Sequence, residues 1–184
     1  MPSARLIAGL LTLALVTASP TGPALAASAA ELSREATAEL NKLYKQEPKA
    51  KELGAKAKAI LVFPRIYKAG FMFGAQYGEG ALRRGGKTVG YYNSVAASYG
   101  LQAGVQAFGY ALFFMNESAL GYLNKSEGLE LGVGPSIVVV DSGMAKTMTT
   151  STITQDIYAF IFDQKGLMGG LGLQGSKLSK IDKK

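Results

Sequence analysis

Residues 61–84 read LVFPRIYKAGFMFGAQYGEGALRR. An apolar run stops at Pro64, a basic step (Arg65, Lys68) follows, and a glycine-punctuated stretch begins at Gly70. From there the chain alternates with period two. Phe71, Phe73, Ala75 and Tyr77 point one way; Gly70, Met72, Gly74, Gln76, Gly78 and Gly80 point the other. The spacing predicts one long strand from Gly70 to Arg84, preceded by a short strand over Ala59–Phe63. A strand face made largely of glycine packs no side chains of its own, so a backbone, a helix or a ligand must lie close against it.

The device recurs. Gly70-x-x-x-Gly74-x-Gln76 is echoed by Gly100-x-x-x-Gly104-x-Gln106 and more loosely by Gly166-x-x-x-Gly170-x-Gly172. The unequal offsets exclude a solenoid. They predict an α+β fold with a curved, mostly antiparallel, glycine-rich sheet, half-barrel or barrel-like, with N-terminal helices packed on it. About six to eight strands are expected from the spacing of apolar runs and turn signals. Gly85-Gly86 is a two-residue hairpin signal returning into Lys87–Asn93. Tyr99–Met115 reads as the longest strand, bent at Gly109. Asn116 is placed to cap a short helix. Ile137–Val140 and Ile157–Phe162 read as buried strands, Leu167–Gln174 as the last strand, and the lysine-rich tail from Ser176 as frayed.

With 184 residues, 48% of them hydrophobic, the chain suffices for one ordinary core. It has no cysteine, histidine or tryptophan. Those absences exclude thiol nucleophiles, disulfides, thiolate or imidazole metal sites and the commonest acid–base residue. No acidic calcium-loop motif is present either, so neither a cofactor nor a metal is expected. Ala81-Leu-Arg-Arg-Gly-Gly86-Lys87-Thr88 falls one glycine short of a phosphate-binding loop and leads into a strand pattern, not a helix. Gly170-x-Gly172-x-x-Gly175 matches a dinucleotide fingerprint by letters alone, with too little chain after it for a βαβ unit. Glu79, between two glycines, reads as a solvated strand-end acid paired with Arg83. No catalytic residue is assigned.

Residues 1–26 have the marks of a secretory signal: Arg5, an apolar run over Leu6–Val16, and Ala24-Leu25-Ala26 as a cleavage site. The expectation is an exported protein, periplasmic or secreted and peripherally associated with a membrane, with residues 27–184 as one domain. Leu32, Ala36, Leu40, Leu43 and Tyr44 then recur at helical spacing, and Pro48 opens a second helix with Ala50, Leu53, Ala57 and Ile60 on one stripe. Either these helices cover the sheet, or Leu32, Leu40, Leu43 and Tyr44 face a membrane. The net charge is +7. Between Ala55 and Met115 the ionisable groups are almost all basic, with Glu79 as the lone acid. Lys58, Arg65, Lys68, Arg83, Arg84 and Lys87 flank the glycine strand and its hairpin and are the candidate lipid-headgroup contacts. Anionic phospholipid is the natural partner of an exported basic face. Nucleic acid is not expected, for want of an RNA-type aromatic motif. An envelope hydrolase built on serine and lysine, or a purely structural envelope protein, remain the alternative readings.

Ala57-Lys-Ala-Ile-Leu-Val-Phe-Pro64, Lys68-Ala-Gly-Phe71, Tyr77-Gly-Glu-Gly80, Ser98-Tyr-Gly-Leu-Gln-Ala-Gly104 and Lys165-Gly-Leu-Met-Gly-Gly170 resemble the SYLF domain family in the same order. The resemblance runs from about Glu31 to Ile181. It implies an α+β lipid-binding domain whose eukaryotic members bind phosphoinositides and other acidic phospholipids, some also binding actin filaments. Its bacterial members stand alone behind an export signal, and actin is not carried over to such a protein. Where many members carry tryptophan-serine-x-proline, this chain has Tyr91-Tyr-Asn-Ser94.

Overall fold

Helix, sheet and turn signals all converge on one layered arrangement. The structure, a computed structural model, describes residues 27–71, 73–99, 104–125, 127–149, 152–166, 173 and 175–184. The signal-like segment 1–26 and most of the expected strand Leu167–Gln174 lie outside them. Two helices come first, α1 (Ala29–Gln46) and α2 (Pro48–Lys56). Ser28 caps α1 by accepting from the Glu31 N–H, and Pro48 occupies the first turn of α2, where a missing N–H costs nothing. The strands are β1 (Ala59–Phe71), β2 (Phe73–Arg84), β3 (Lys87–Tyr99), β4 (Gly104–Phe114), β5 (Leu129–Glu130), β6 (Ile137–Val139), β7 (Ile157–Gly166) and β8 (Lys177–Ile181). Short helices α3 (Glu117–Gly121) and α4 (Ser142–Thr147) are capped by Asn116 and Asp141.

The eight strands form one sheet in the order β5-β8-β3-β2-β1-β4-β7-β6, curled into a half-barrel with the N-terminal helices against it. Among the described pairings only β6 with β7 is parallel. The expected fold class holds, and several boundaries move. Pro64 does not end a strand: β1 runs through it, with register shifts at Val62/Arg65 and Phe63/Ile66. A bulge is where a strand tolerates a residue without an N–H. The stretch from Gly70 is not one strand but a hairpin tip, pairing Gly70 with Gly74 and Phe71 with Phe73. The tail is not frayed either, since β8 pairs with β3 from Val95–Lys177 to Tyr91–Ile181. Ile137–Val139 is a short edge strand, half-exposed, and the threonine-rich region after Asp141 begins as α4.

Two apolar layers sandwich the sheet. On the outer face Leu32, Ala36, Leu40 and Leu43 of α1 and Leu53 of α2 pack on Ile60, Val62, Ala81, Ala111, Phe113 and Phe160. Burying each such leucine contributes about 1.5–3 kcal/mol. On the inner face Phe63, Ile66, Phe108, Tyr110 and Leu112 pack with Leu120, Leu123, Leu129 and Leu178. Glycines let the sheet curl. A Cβ on Gly80 would stand 2.7 Å from the Phe63 ring and from the Val62 carbonyl oxygen. Over this bare ground Tyr110 of β4 reaches past β1 and β2 to donate to Ser94 Oγ of β3 at 2.8 Å. Both groups are fully buried.

Candidate membrane-binding surface

The six basic residues singled out in the sequence do not form one patch. Arg83 pairs with Ile60 at the start of β1, so Lys68 lies eight residues further along that strand, roughly 26 Å away. Lys58, Arg83, Arg84 and Lys87 therefore sit at the helix-covered end of the sheet, and Arg65 and Lys68 lie toward the opposite tip. The charges at the covered end are partly engaged. Arg83 donates to Thr88 Oγ1 and to the Gly86 carbonyl, and Arg84 pairs with Glu117 at 2.5 Å. Glu79 is not Arg83's partner; it pairs with the largely buried Lys183 and accepts from the Tyr77 hydroxyl. Arg65 and Lys68 point to opposite faces, Arg65 outward and exposed, Lys68 inward and only 9% exposed.

Nor does the α1 stripe face a membrane. Leu32, Leu40 and Leu43 are buried against the sheet, and Tyr44 is half-buried with its ring 6.5 Å from that of Phe113. The reason is the sheet itself, whose outer face at that end offers Ile60, Val62, Ala81 and Phe113 as a complementary apolar floor.

The helices cover only part of that face. An 18-residue helix is about 27 Å long, while β1 with its hairpin partners extends well past the contact with α1. Beyond the bulge the outward residues are left open: Tyr67 is 53% exposed, Tyr77 49%, Val95 45%, Val105 67% and Phe73 70%. Register places them together. Tyr67 pairs with Tyr77, Tyr77 with Val95 and Tyr67 with Ala107. The next row toward the tip is Ala97, Ala75, Ala69 and Val105.

A lysine stands on either side of the aromatic row, and beyond Lys177 the row continues to the exposed Glu130 of β5. Val95 pairs with Lys177 on β8, and Ala107 with Lys165 on β7. Both lysines are exposed, and neither forms an ion pair or hydrogen bond among the described residues. The result is an apolar, partly aromatic band four strands wide, on β3, β2, β1 and β4, with a lysine on the strand at each flank. Sequence reading missed these lysines because they lie far from the glycine hairpin in the chain. The available signal was the outward alternation of Tyr67, Phe73 and Tyr77, with too little helix to cover it.

Beside the band, under the start of α1, runs a groove of about 460 Å³ lined by Glu31, Glu35, Pro64, Arg65, Tyr67, Tyr77 and Glu79, among others. Tyr67 first, then the carboxylates of Glu35 and Glu39, push the Arg65 guanidinium pKa up. Arg65 thus already has anionic neighbours within the protein. Among the described residues no cluster of three or more metal-ligating side chains occurs, and no helix is long and apolar enough to cross a membrane.

The curled α+β sheet thus leaves a lysine-flanked apolar band open on its outer face. Residues 95–184 match the Ysc84 family model, described as Las17-binding protein actin regulator. The match covers the C-terminal 90 of 184 residues and is consistent with the SYLF domain motifs read from the sequence. No curated protein matches the sequence.

Proposed function

We propose that the protein is a non-enzymatic, peripheral binder of anionic phospholipid surfaces, acting in the envelope of a bacterium after export. The observation that carries this reading is the open band on the outer face of the sheet. Tyr67, Tyr77, Val95 and Val105 supply amphipathic and apolar surface at the depth of an interface, and Lys165 and Lys177 sit where headgroup phosphates would meet them. The match of residues 95–184 to a lipid- and actin-related family supports the same class of partner. Two lysines near an anionic surface contribute about 2 kcal/mol, which alone is weaker than millimolar binding. Apolar insertion of the band must therefore supply the larger share.

Sedimentation with vesicles tests it. Phosphatidylglycerol vesicles should carry the protein down at low salt and progressively less as the Debye length falls to about 8 Å at 0.15 M, and phosphatidylcholine vesicles should carry down little at any salt. Lys165→Glu with Lys177→Glu should weaken sedimentation more than Arg84→Glu with Lys87→Glu. Equal loss from both pairs, or pelleting indifferent to lipid charge, would refute the reading.

A further inference from the structure

The glycine-x-glutamine echo in the sequence finds its place on the inner face of the sheet. Lys68 on β1 pairs in register with Gln76 on β2 and with Gln106 on β4. The three side chains form one row pointing into the curl, 9%, 4% and 3% exposed. The next row toward the tip is Gly74, Gly70 and Gly104, which projects no side chain above them. A Cβ on Gly104 would meet nothing within 4 Å. Below lie Ile66 and Phe108, apolar and buried.

Two polar demands in this row are unmet among the described residues. Lys68 has no carboxylate partner and no hydrogen bond. Gln106 Oε1 is buried without a partner. Gln76 is only partly engaged, donating from Nε2 to Ser176 Oγ at 3.4 Å and keeping a second N–H. An ammonium taken this far out of water without a counter-charge is costly, and so is an orphaned amide oxygen. One ligand resolves both. A tetrahedral oxyanion with a hydroxyl would accept from Lys68 and Gln76 and donate to Gln106.

We infer that the inner face carries a small-anion site built on Lys68, Gln76 and Gln106, taking hydrogen phosphate or a phosphate monoester in its monoprotonated form. The site is separate from the outer band and does not depend on it. Register sets Gln76 and Gln106 either side of the lysine, with Gly70, Gly74 and Gly104 in the row next to them.

Thermal melts and calorimetry with inorganic phosphate and with glycerol 3-phosphate test this, against sodium chloride at matched ionic strength. The parent should melt a few degrees higher with about 10 mM of either phosphate, the mass-action signature of a ligand binding only the folded state. Lys68→Met, which removes an uncompensated charge, should melt no lower than the parent without ligand and lose the phosphate response. Gln106→Leu should bind at least tenfold more weakly. Phosphatidic acid vesicles identify the source. A loss of vesicle binding in Lys68→Met assigns the site to a lipid headgroup, and unchanged vesicle binding with a lost phosphate response assigns it to free anion. No phosphate effect on the parent beyond that of chloride, or a response that survives in Lys68→Met, would overturn the inference. Failure of the outer band would appear instead in the Lys165 and Lys177 variants, so the two are separable.

Discussion

Gly80→Ala is the sharpest probe of how the sheet is curled. Gly80 sits on the inner face of β2, and the Phe63 ring of β1 lies where its side chain would be. An added Cβ would approach Phe63 Cδ1 and the Val62 carbonyl oxygen, both at 2.7 Å. The ring is fully buried and packed against that of Tyr110, centroids 4.7 Å apart and tilted by 34°, and the carbonyl belongs to a paired strand, so neither retreats easily. Forcing a methyl into such a site costs about 1–3 kcal/mol. For a domain of this size that is a fall in Tm of about 3–10 °C. Gly90→Ala supplies the control, because its Cβ would make an ordinary 3.4 Å contact with Tyr92. It should stay within about 0.5 kcal/mol of the parent. Urea and thermal melts by circular dichroism measure both. If Gly80→Ala melts with the parent, Phe63 does not rest on β2 and the packing of the inner face is wrong.

Two further outcomes follow from buried and capping polar groups. Tyr110→Phe leaves Ser94 Oγ buried without its partner and should cost about 1–2 kcal/mol in urea melts; desolvation pushes the Tyr110 hydroxyl pKa up, so it remains a donor throughout the neutral range. Asp156 accepts from the backbone N–H and hydroxyl of Ser136 and from the Asn116 side chain, joining the starts of β6, α3 and β7. The Ser136 backbone bond first, then the Asn116 and Ser136 side chains, hold its carboxyl pKa below the usual aspartate range. A depressed pKa means stability present above the unfolded value of about 3.9 and lost as pH falls through the folded one. Asp156→Asn should therefore be less stable than the parent at pH 7, and the gap should narrow below about pH 4.

The helices were legible because their apolar spacing matches a 3.6-residue turn and Pro48 marks the first turn of α2. The glycine parity of β2 was legible for the same kind of reason. The hairpin at the tip was not, and the cause lies in its register. Ala69 pairs with Ala75 and Tyr67 with Tyr77, so odd residues face odd residues on both arms and the alternation in the sequence shows no break. Pro64 looked like a stop because its tolerance depends on a bulge, which only the pairing reveals. In β8 only Leu178 is fully buried among Lys177, Ser179, Lys180 and Ile181, too little apolar signal to distinguish a strand from a tail. The basic residues misled because nearness in sequence to one hairpin is not nearness in space. The pairing of Arg83 with Ile60 and of Lys68 with Gln76 carries them to different ends. Lys165 and Lys177 became neighbours of the aromatic row only once β7 and β8 were set on the two sides of the central hairpin.

The absence of any cysteine in the chain allows the proposed membrane contact to be tested face by face. Val105→Cys in the open band and Lys87→Cys at the hairpin of the covered end can each carry one environment-sensitive fluorophore. On adding phosphatidylglycerol vesicles, the label at residue 105 should shift to the blue and become accessible to quenchers within the bilayer, and the label at residue 87 should report water throughout. A response at residue 87 with none at residue 105 would contradict the account, placing the contact on the basic hairpin instead of the apolar band.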